Sequence, residues 1–330
     1  MLLNYRLTTR IACLLIACNF LFVASLSAAE EAARTEAVPF LTQTLSDTDF
    51  LSASKDNPMT IAGVLRIPTT GGDKLPAVIM LHGSGGYTAY IDAWVARLNA
   101  INIATFVVDS FSGRGLRNVR DDQNALGRLA GVSDAYGALE AIAKNPRIDE
   151  SRIVLMGFSR GGQGALYAAM KRFHESYLTN GLNFAGYIAF YPNCSTHYRD
   201  DLEVVDKPIK IYHGEADDFN AYAPCKAYAE RLIAAGKDVQ ITGYPGAYHV
   251  FDWDGLKKPQ FAKDAQSARD CKIEEGTGGV LINKLTDKPF TYQDDCVAKG
   301  ATAAYNEAAA NDVSEKVPEF LSSLFMLPSR

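Results

Sequence analysis

Apolar positions along this chain change their spacing in a regular way. Residues 77–81 (AVIML) form an unbroken apolar run, as expected of a strand buried on both faces. Residues 103–108, 152–156, 184–191, 208–212 and 239–244 read as further strands, two of them bounded by prolines at 192 and 208. Between these runs the period lengthens. Residues 90–101 place Ile91, Trp94, Val95 and Leu98 on one helical stripe, and 127–144, 161–171 and 221–236 also read as helices. Residues 60–67 alternate apolar and polar side chains as a strand does, and Pro68 ends it. Strands that alternate with helices from about 75 to 245 predict an α/β fold, with a mostly parallel central sheet and helices on both faces.

The flanks depart from this rhythm. Arg6 and Arg10 are the only charges in the first 29 residues, followed by an apolar run at 11–23 and the small residues at 24–29. That order is the pattern of a secretory signal, here read as residues 1–29. The run is short for a membrane span, which needs ~20 apolar residues. A lipobox-like Leu15-Ile16-Ala17-Cys18 offers lipid anchoring through Cys18 as a minor alternative. Residues 30–59 are weakly patterned and read as an N-terminal arm, leaving 60–330 for one domain. Residues 256–300, with Gly276, Gly278, Gly279 and a hairpin-like 279–283, read as an excursion from that domain. Residues 301–326 read as a closing helix.

Composition narrows the class. The 330 residues are 48% hydrophobic and 22% charged, with a formal charge of −5, values typical of a folded globular chain. An acidic balance argues against a nucleic-acid partner. Loss of residues 1–29 would remove two arginines and two of the six cysteines. Cys194, Cys225, Cys271 and Cys296 then remain. Four cysteines in an exported chain read as two disulfides, and pairing neighbours gives Cys194–Cys225 and Cys271–Cys296. No metal-ligand spacing of the C-x-x-C or H-E-x-x-H kind is present. The expected location is periplasmic or secreted, with no stable membrane insertion.

The sharpest chemical signal is Gly157-Phe158-Ser159-Arg160-Gly161, between a predicted buried strand and a predicted helix. A serine hydroxyl is a weak nucleophile and must be held out from the backbone towards a base. A tight strand-to-helix turn does this, and flanking glycines remove the Cβ atoms that would collide there. His249, in the loop after the last core strand, is the candidate base. His82 and His213 each end a strand before a glycine, where packing roles are common, and His174 and His197 lie outside any motif. In His213-Gly214-Glu215-Ala216-Asp217-Asp218 the orienting acid is read as Asp217, with Asp218 as the alternative. Oxyanion donors are expected from the amide of Arg160 and from Ser84 or Gly85 in His82-Gly83-Ser84-Gly85-Gly86. Arg114 is a candidate contact for a substrate carboxylate, and Trp253 a candidate pocket wall.

The segments MLHGSGG (80–86), VVDSFSGRG (107–115), MGFSRGG (156–162), YHGEADD (212–218), 223–239 and YPGAYHVFDW (244–253) together resemble the dienelactone hydrolase family of α/β-hydrolases, in its exported, serine-containing branch. The resemblance runs from about 62 to 253. It implies the α/β-hydrolase fold, a triad at Ser159, Asp217 and His249, a small-molecule ester or lactone substrate, and no cofactor. Well-known members use a cysteine nucleophile and are cytoplasmic, whereas this chain has Ser159 and an export pattern. Two other readings compete. One is a serine peptidase of the prolyl-oligopeptidase type, for whose propeller the 30 or so residues before Thr60 are too few. The other is a binding protein on the same fold, against which the intact triad speaks.

Overall fold

The computed structural model describes residues 34–70 and 72–327. The export-signal reading of residues 1–29, and Cys18 with it, lies outside the described residues. Among the described residues, eight strands make the central sheet: β1 (Arg34–Gln43), β2 (Pro58–Ile67), β3 (Leu75–Leu81), β4 (Ala104–Asp109), β5 (Ile148–Phe158), β6 (Gly186–Phe190), β8 (Ile209–Gly214) and β9 (Val239–Tyr244). A short β7 (Thr196–His197) lies outside it. The order is β1-β2-β4-β3-β5-β6-β8-β9, antiparallel at the β1–β2 and β2–β4 pairings and parallel from β4 onwards.

The helices are α1 (Asp47–Leu51), α2 (Ala89–Asn99), α3 (Ala130–Ile142), α4 (Arg160–Tyr167), α5 (Lys171–Tyr177), α6 (Tyr222–Ala234) and α7 (Glu307–Phe325). Alternation along the strands assigns each helix its face. Val78 and Met80 of β3, with Val154 and Met156 of β5, pack with Ile91 and Trp94 of α2 and Val313, Val317 and Leu321 of α7. Their neighbours Ala77, Ile79, Leu81, Ile153 and Leu155 point the other way, into a cluster with α3, α4 and α6. A strand buried on both faces has no polar position to spare, which explains the unbroken apolar run at 77–81. Each fully buried Ile, Leu or Val contributes about 1.5–3 kcal/mol.

Three expectations need correction. The segment read as an arm contributes β1, which pairs with β2 over its full length, and α1, capped by Ser46, whose Oγ accepts from the Asp49 amide at 3.1 Å. The helix expected over 161–171 breaks into α4 and α5, because Met170 turns extended and pairs with Val204. The closing helix starts at Glu307 rather than 301. Asn306 caps it, accepting from the Ala309 amide at 3.0 Å, and the preceding residues extend as a strand.

The excursion makes two small sheets. Strands β10 (Gln260–Ser267) and β14 (Ala298–Ala303) pair with each other. Strands β11 (Ile273–Glu275), β12 (Leu281–Asn283) and β13 (Lys288–Pro289) join β7 in the order β13-β12-β11-β7. Cys271 is bonded to Cys296 within this region, and Cys194 to Cys225 ties the loop after β6 to α6. Two disulfides fit an oxidising compartment. Among the described residues, no helix is long and apolar enough to cross a membrane.

Candidate active site

Ser159 sits between the end of β5 and the start of α4 with φ 55° and ψ −115°, a conformation that non-glycine residues rarely adopt. Its amide donates to the Phe190 carbonyl at 2.9 Å, which locks the turn against β6. The two flanking glycines are required by close approach. A Cβ on Gly157 would lie 2.0 Å from the Gly161 carbonyl oxygen, and one on Gly161 would lie 2.2 Å from that of Leu81.

His249 follows β9, and its Nε2 lies 2.8 Å from Ser159 Oγ. Its Nδ1 lies 2.7 Å from Asp217 Oδ2. A carboxylate oxygen can only accept, so Nδ1 carries the proton and Nε2 is left to accept from the serine hydroxyl. Asp217 Oδ1 accepts from the amides of Phe219 and Asn220 at 2.8 and 2.9 Å. Burial alone would push this carboxyl up. The charge and hydrogen bond of His249, the charge of His213 and the Asn220 amide outweigh it and hold the carboxyl below its ordinary range. All three side chains are buried.

The imidazole also packs against the Tyr191 and Phe219 rings, 4.6 and 4.9 Å away between centroids. Tyr191 donates to Asp252 Oδ1 at 2.9 Å, and Trp94 Nε1 donates to Oδ2 at 2.8 Å. Trp94, read from its spacing as helix core, is buried and holds this carboxylate as well.

Ser84 and Gly85 line the same cavity as Ser159. In their loop the Gly83 amide donates to Tyr90 Oη and the Gly86 amide to the Gly83 carbonyl. The amides of Ser84 and Gly85 make no hydrogen bond among the described residues. Arg160 heads α4, where the first amides have no partner within the helix. Its side chain points elsewhere, donating to Gln123 Oε1 at 2.8 Å and to the Leu126 and Gly127 carbonyls.

Gln123 carried no motif, yet it joins several parts of the site. Its Nε2 donates to Ser84 Oγ at 3.1 Å and its amide to Gln266 Oε1 at 2.9 Å, linking Arg160, the loop after β3 and the excursion. His82 accepts from the Ser110 amide through Nε2 and contacts the Gly83 carbonyl through Nδ1, so it is a structural group. His213 is fully buried between the carbonyls of Gly214 and Pro192.

Arg114 is not a substrate contact. Its guanidinium donates to Thr44 Oγ1, to the carbonyls of Ser110 and Gln43, and twice to Asp134, at 2.7–2.9 Å. These bonds use all five of its donors. The side chains of Arg114 and Asp134 are 3% and 0% exposed. The arginine therefore clamps the end of β1 to α3, and it does not border the cavity.

Trp253 does border it. The cavity, about 200 Å³, is largely apolar and includes Tyr90, Tyr191, Trp253 and Leu256. Ala262 and Ala265 of β10 and Ala301 and Ala303 of β14 form part of its wall. The excursion is thus part of the site. Strand β14 is pinned beside His249, whose carbonyl accepts from the Ala304 amide at 3.1 Å.

The model of the dienelactone hydrolase family matches residues 61–275. The chain belongs to this family. The family is one of hydrolases with the α/β-hydrolase fold. Solved structures agree on the fold. A dienelactone hydrolase-like promiscuous phosphotriesterase, P91, from metagenomic libraries is 15% identical, with 88% of this chain and 98% of that chain covered and a TM-score of 0.56. Esterase 2 of Thermogutta terrifontis, phosphoramylated by tabun, is 15% identical, with 91% and 98% covered and a TM-score of 0.54. A Synechocystis sp. (strain ATCC 27184 / PCC 6803 / Kazusa) protein, provisionally named a non-heme chloroperoxidase, is 34% identical over 73 residues. That match spans 22% of this chain and a quarter (25%) of the curated relative.

Proposed function

We propose that this protein hydrolyses a carboxylic ester or lactone through Ser159, His249 and Asp217, by way of an acyl-enzyme. The observation that carries the reading is the relay of 2.8 and 2.7 Å from a strained serine through a buried imidazole to a buried carboxylate. Ser159 Oγ attacks the carbonyl carbon while His249 Nε2 takes its proton. The tetrahedral oxyanion is held by the Arg160 amide and by that of Ser84 or Gly85. Its collapse breaks the bond to the alkoxy group, which leaves with the proton from His249. Water then attacks the acyl-serine with His249 as base, releasing the acid and restoring Ser159. Asp217 keeps the imidazole in the required tautomer and stabilises its charged form. The apolar cavity with Trp253 suits a substrate with one apolar half.

In the same reading residues 1–29 are an export signal and the mature enzyme is periplasmic or secreted, which the two disulfides support. The test is labelling by a fluorophosphonate probe, read by intact mass and peptide mapping. The proposal expects one adduct, on Ser159, and none in Ser159→Ala. A protein that stays unlabelled yet folded, or labels elsewhere, would overturn it.

A further inference from the structure

Ser159 and Ser84 also border a second, smaller space of about 30 Å³. Its walls are polar and include Arg128, Arg160, Gln163, Asn193, Asn220 and Tyr292. Arg128 is 3% exposed. Its Nη1 donates to Thr196 Oγ1 at 2.8 Å, and the rings of Phe290 and Tyr292 lie 4.6 and 5.2 Å from the guanidinium carbon. Among the described residues its Nε and Nη2 have no hydrogen-bond partner, and neither has Nε2 of the buried Gln163. Among the described residues, the unpartnered buried side-chain atoms of the residues lining this space are all donors.

The charge count points the same way. Two buried guanidiniums meet here. The only carboxylate within 4.0 Å of either, among the described residues, is Asp47, whose Oδ2 is 3.8 Å from Arg128 Nε. Arg160 contacts an amide oxygen and two carbonyls. Buried cations that lack a full counter-charge, together with orphan donors, favour an anion in the space they share. The volume holds a group of a few heavy atoms.

We infer that Arg128, Gln163 and the charge of Arg160 form a binding site for a small monoanion beside Ser159. The anion accepts from Arg128 Nη2 and from Gln163 Nε2. This site is separate from Arg114, whose donors are all committed. The anion can be free, of the size of chloride or formate, or it can be the carboxylate ending a short acyl group held at Ser159. Only the second source rests on the esterase reading.

Two measurements separate these sources. In the first, thermal unfolding of the protein is followed in sodium chloride, sodium formate and sodium gluconate at equal ionic strength. A free-anion site gives a saturable rise in Tm with chloride or formate, absent with gluconate. The rise persists in Ser159→Ala, and its half-saturation moves at least tenfold in Gln163→Leu. In the second, kcat/KM is compared for the mono-4-nitrophenyl ester of succinic acid and for 4-nitrophenyl butyrate. A substrate-borne anion gives a preference for the charged ester that falls at least tenfold in Gln163→Leu and in Arg128→Gln. Gln163→Leu conserves shape and keeps the test valid if the arginine variant does not fold. Either result supports the site and names its source. No anion-specific stabilisation together with no Gln163-dependent ester preference overturns it. Fluorophosphonate labelling of Ser159 in that event shows that the esterase reading survives alone. Stabilisation by formate without labelling shows the reverse.

Discussion

The carboxylate of Asp218 accepts two hydrogen bonds from Thr302, one from the amide at 2.7 Å and one from the hydroxyl at 2.8 Å. Asp218 adjoins Asp217, the acid bonded to the His249 imidazole, and Thr302 lies on β14 in the cavity wall. Arg269 completes the tie by donating to the carbonyls of Asp218 and Gly300. Of two adjacent acids, one faces the imidazole and the other fastens the excursion to the same loop.

Replacing Asp218 with Ala should therefore loosen the wall and spare the chemistry. The expected cost is about 2 kcal/mol of stability for the charged hydrogen bonds, with KM raised several-fold and kcat nearly unchanged. Urea unfolding and steady-state kinetics check this. A collapse in kcat at constant KM would make Asp218 the orienting acid instead.

Arg114→Leu should be a stability mutation. It leaves Asp134 buried without its cation, which costs about 3–5 kcal/mol. The ratio of kcat/KM between charged and neutral esters should not change. A stable variant that has lost only its selectivity for charged esters would return Arg114 to the substrate.

Cys271 and Cys296 are 25 residues apart in sequence. The double variant Cys271→Ser, Cys296→Ser should lose about 3 kcal/mol, the chain-entropy value for a loop of this size. Because the staple holds the excursion, KM should rise as well. Guanidinium unfolding and kinetics read the two effects separately.

Burial holds the pKa of His82 below its ordinary 6.5, although the Gly83 carbonyl and the charges of Asp109 and Asp134 oppose it. The unfolded chain then binds the proton more readily than the folded one, so stability falls as pH drops below about 6.5. His82→Asn should flatten that part of the curve. Unfolding free energies between pH 5 and 7.5 in both proteins test it. An equal slope in the two would locate the effect elsewhere, with His213 the next group to examine.

Much of the fold was legible because its central strands are buried on both faces, and such strands carry unbroken apolar runs. The three side chains proposed as a triad could be read because each follows a strand end in a short motif, and the fold brings them within hydrogen-bond distance. Other parts had no such signal. In β1 only Phe40 and Thr42 are buried, and Pro39 is tolerated because the strand lies at an edge, so its pattern is nearly mute. Strand β14 reads AKGATA, a composition with no strand preference, and only pairing with β10 holds it extended. Gln123 works through Ser84, Arg160 and Gln266, none of them near it in sequence. The role of Arg114 depended on β1, and missing that strand made its guanidinium look free.

We propose Ser159 as the nucleophile of an ester hydrolase. It is tested most directly by kcat/KM of the wild-type protein and of Ser159→Ala on 4-nitrophenyl butyrate, with folding of both checked by circular dichroism. Measurable hydrolysis by the wild type is expected, with a loss of roughly 10⁴-fold or more in the variant. A folded Ser159→Ala protein with undiminished hydrolysis would contradict it.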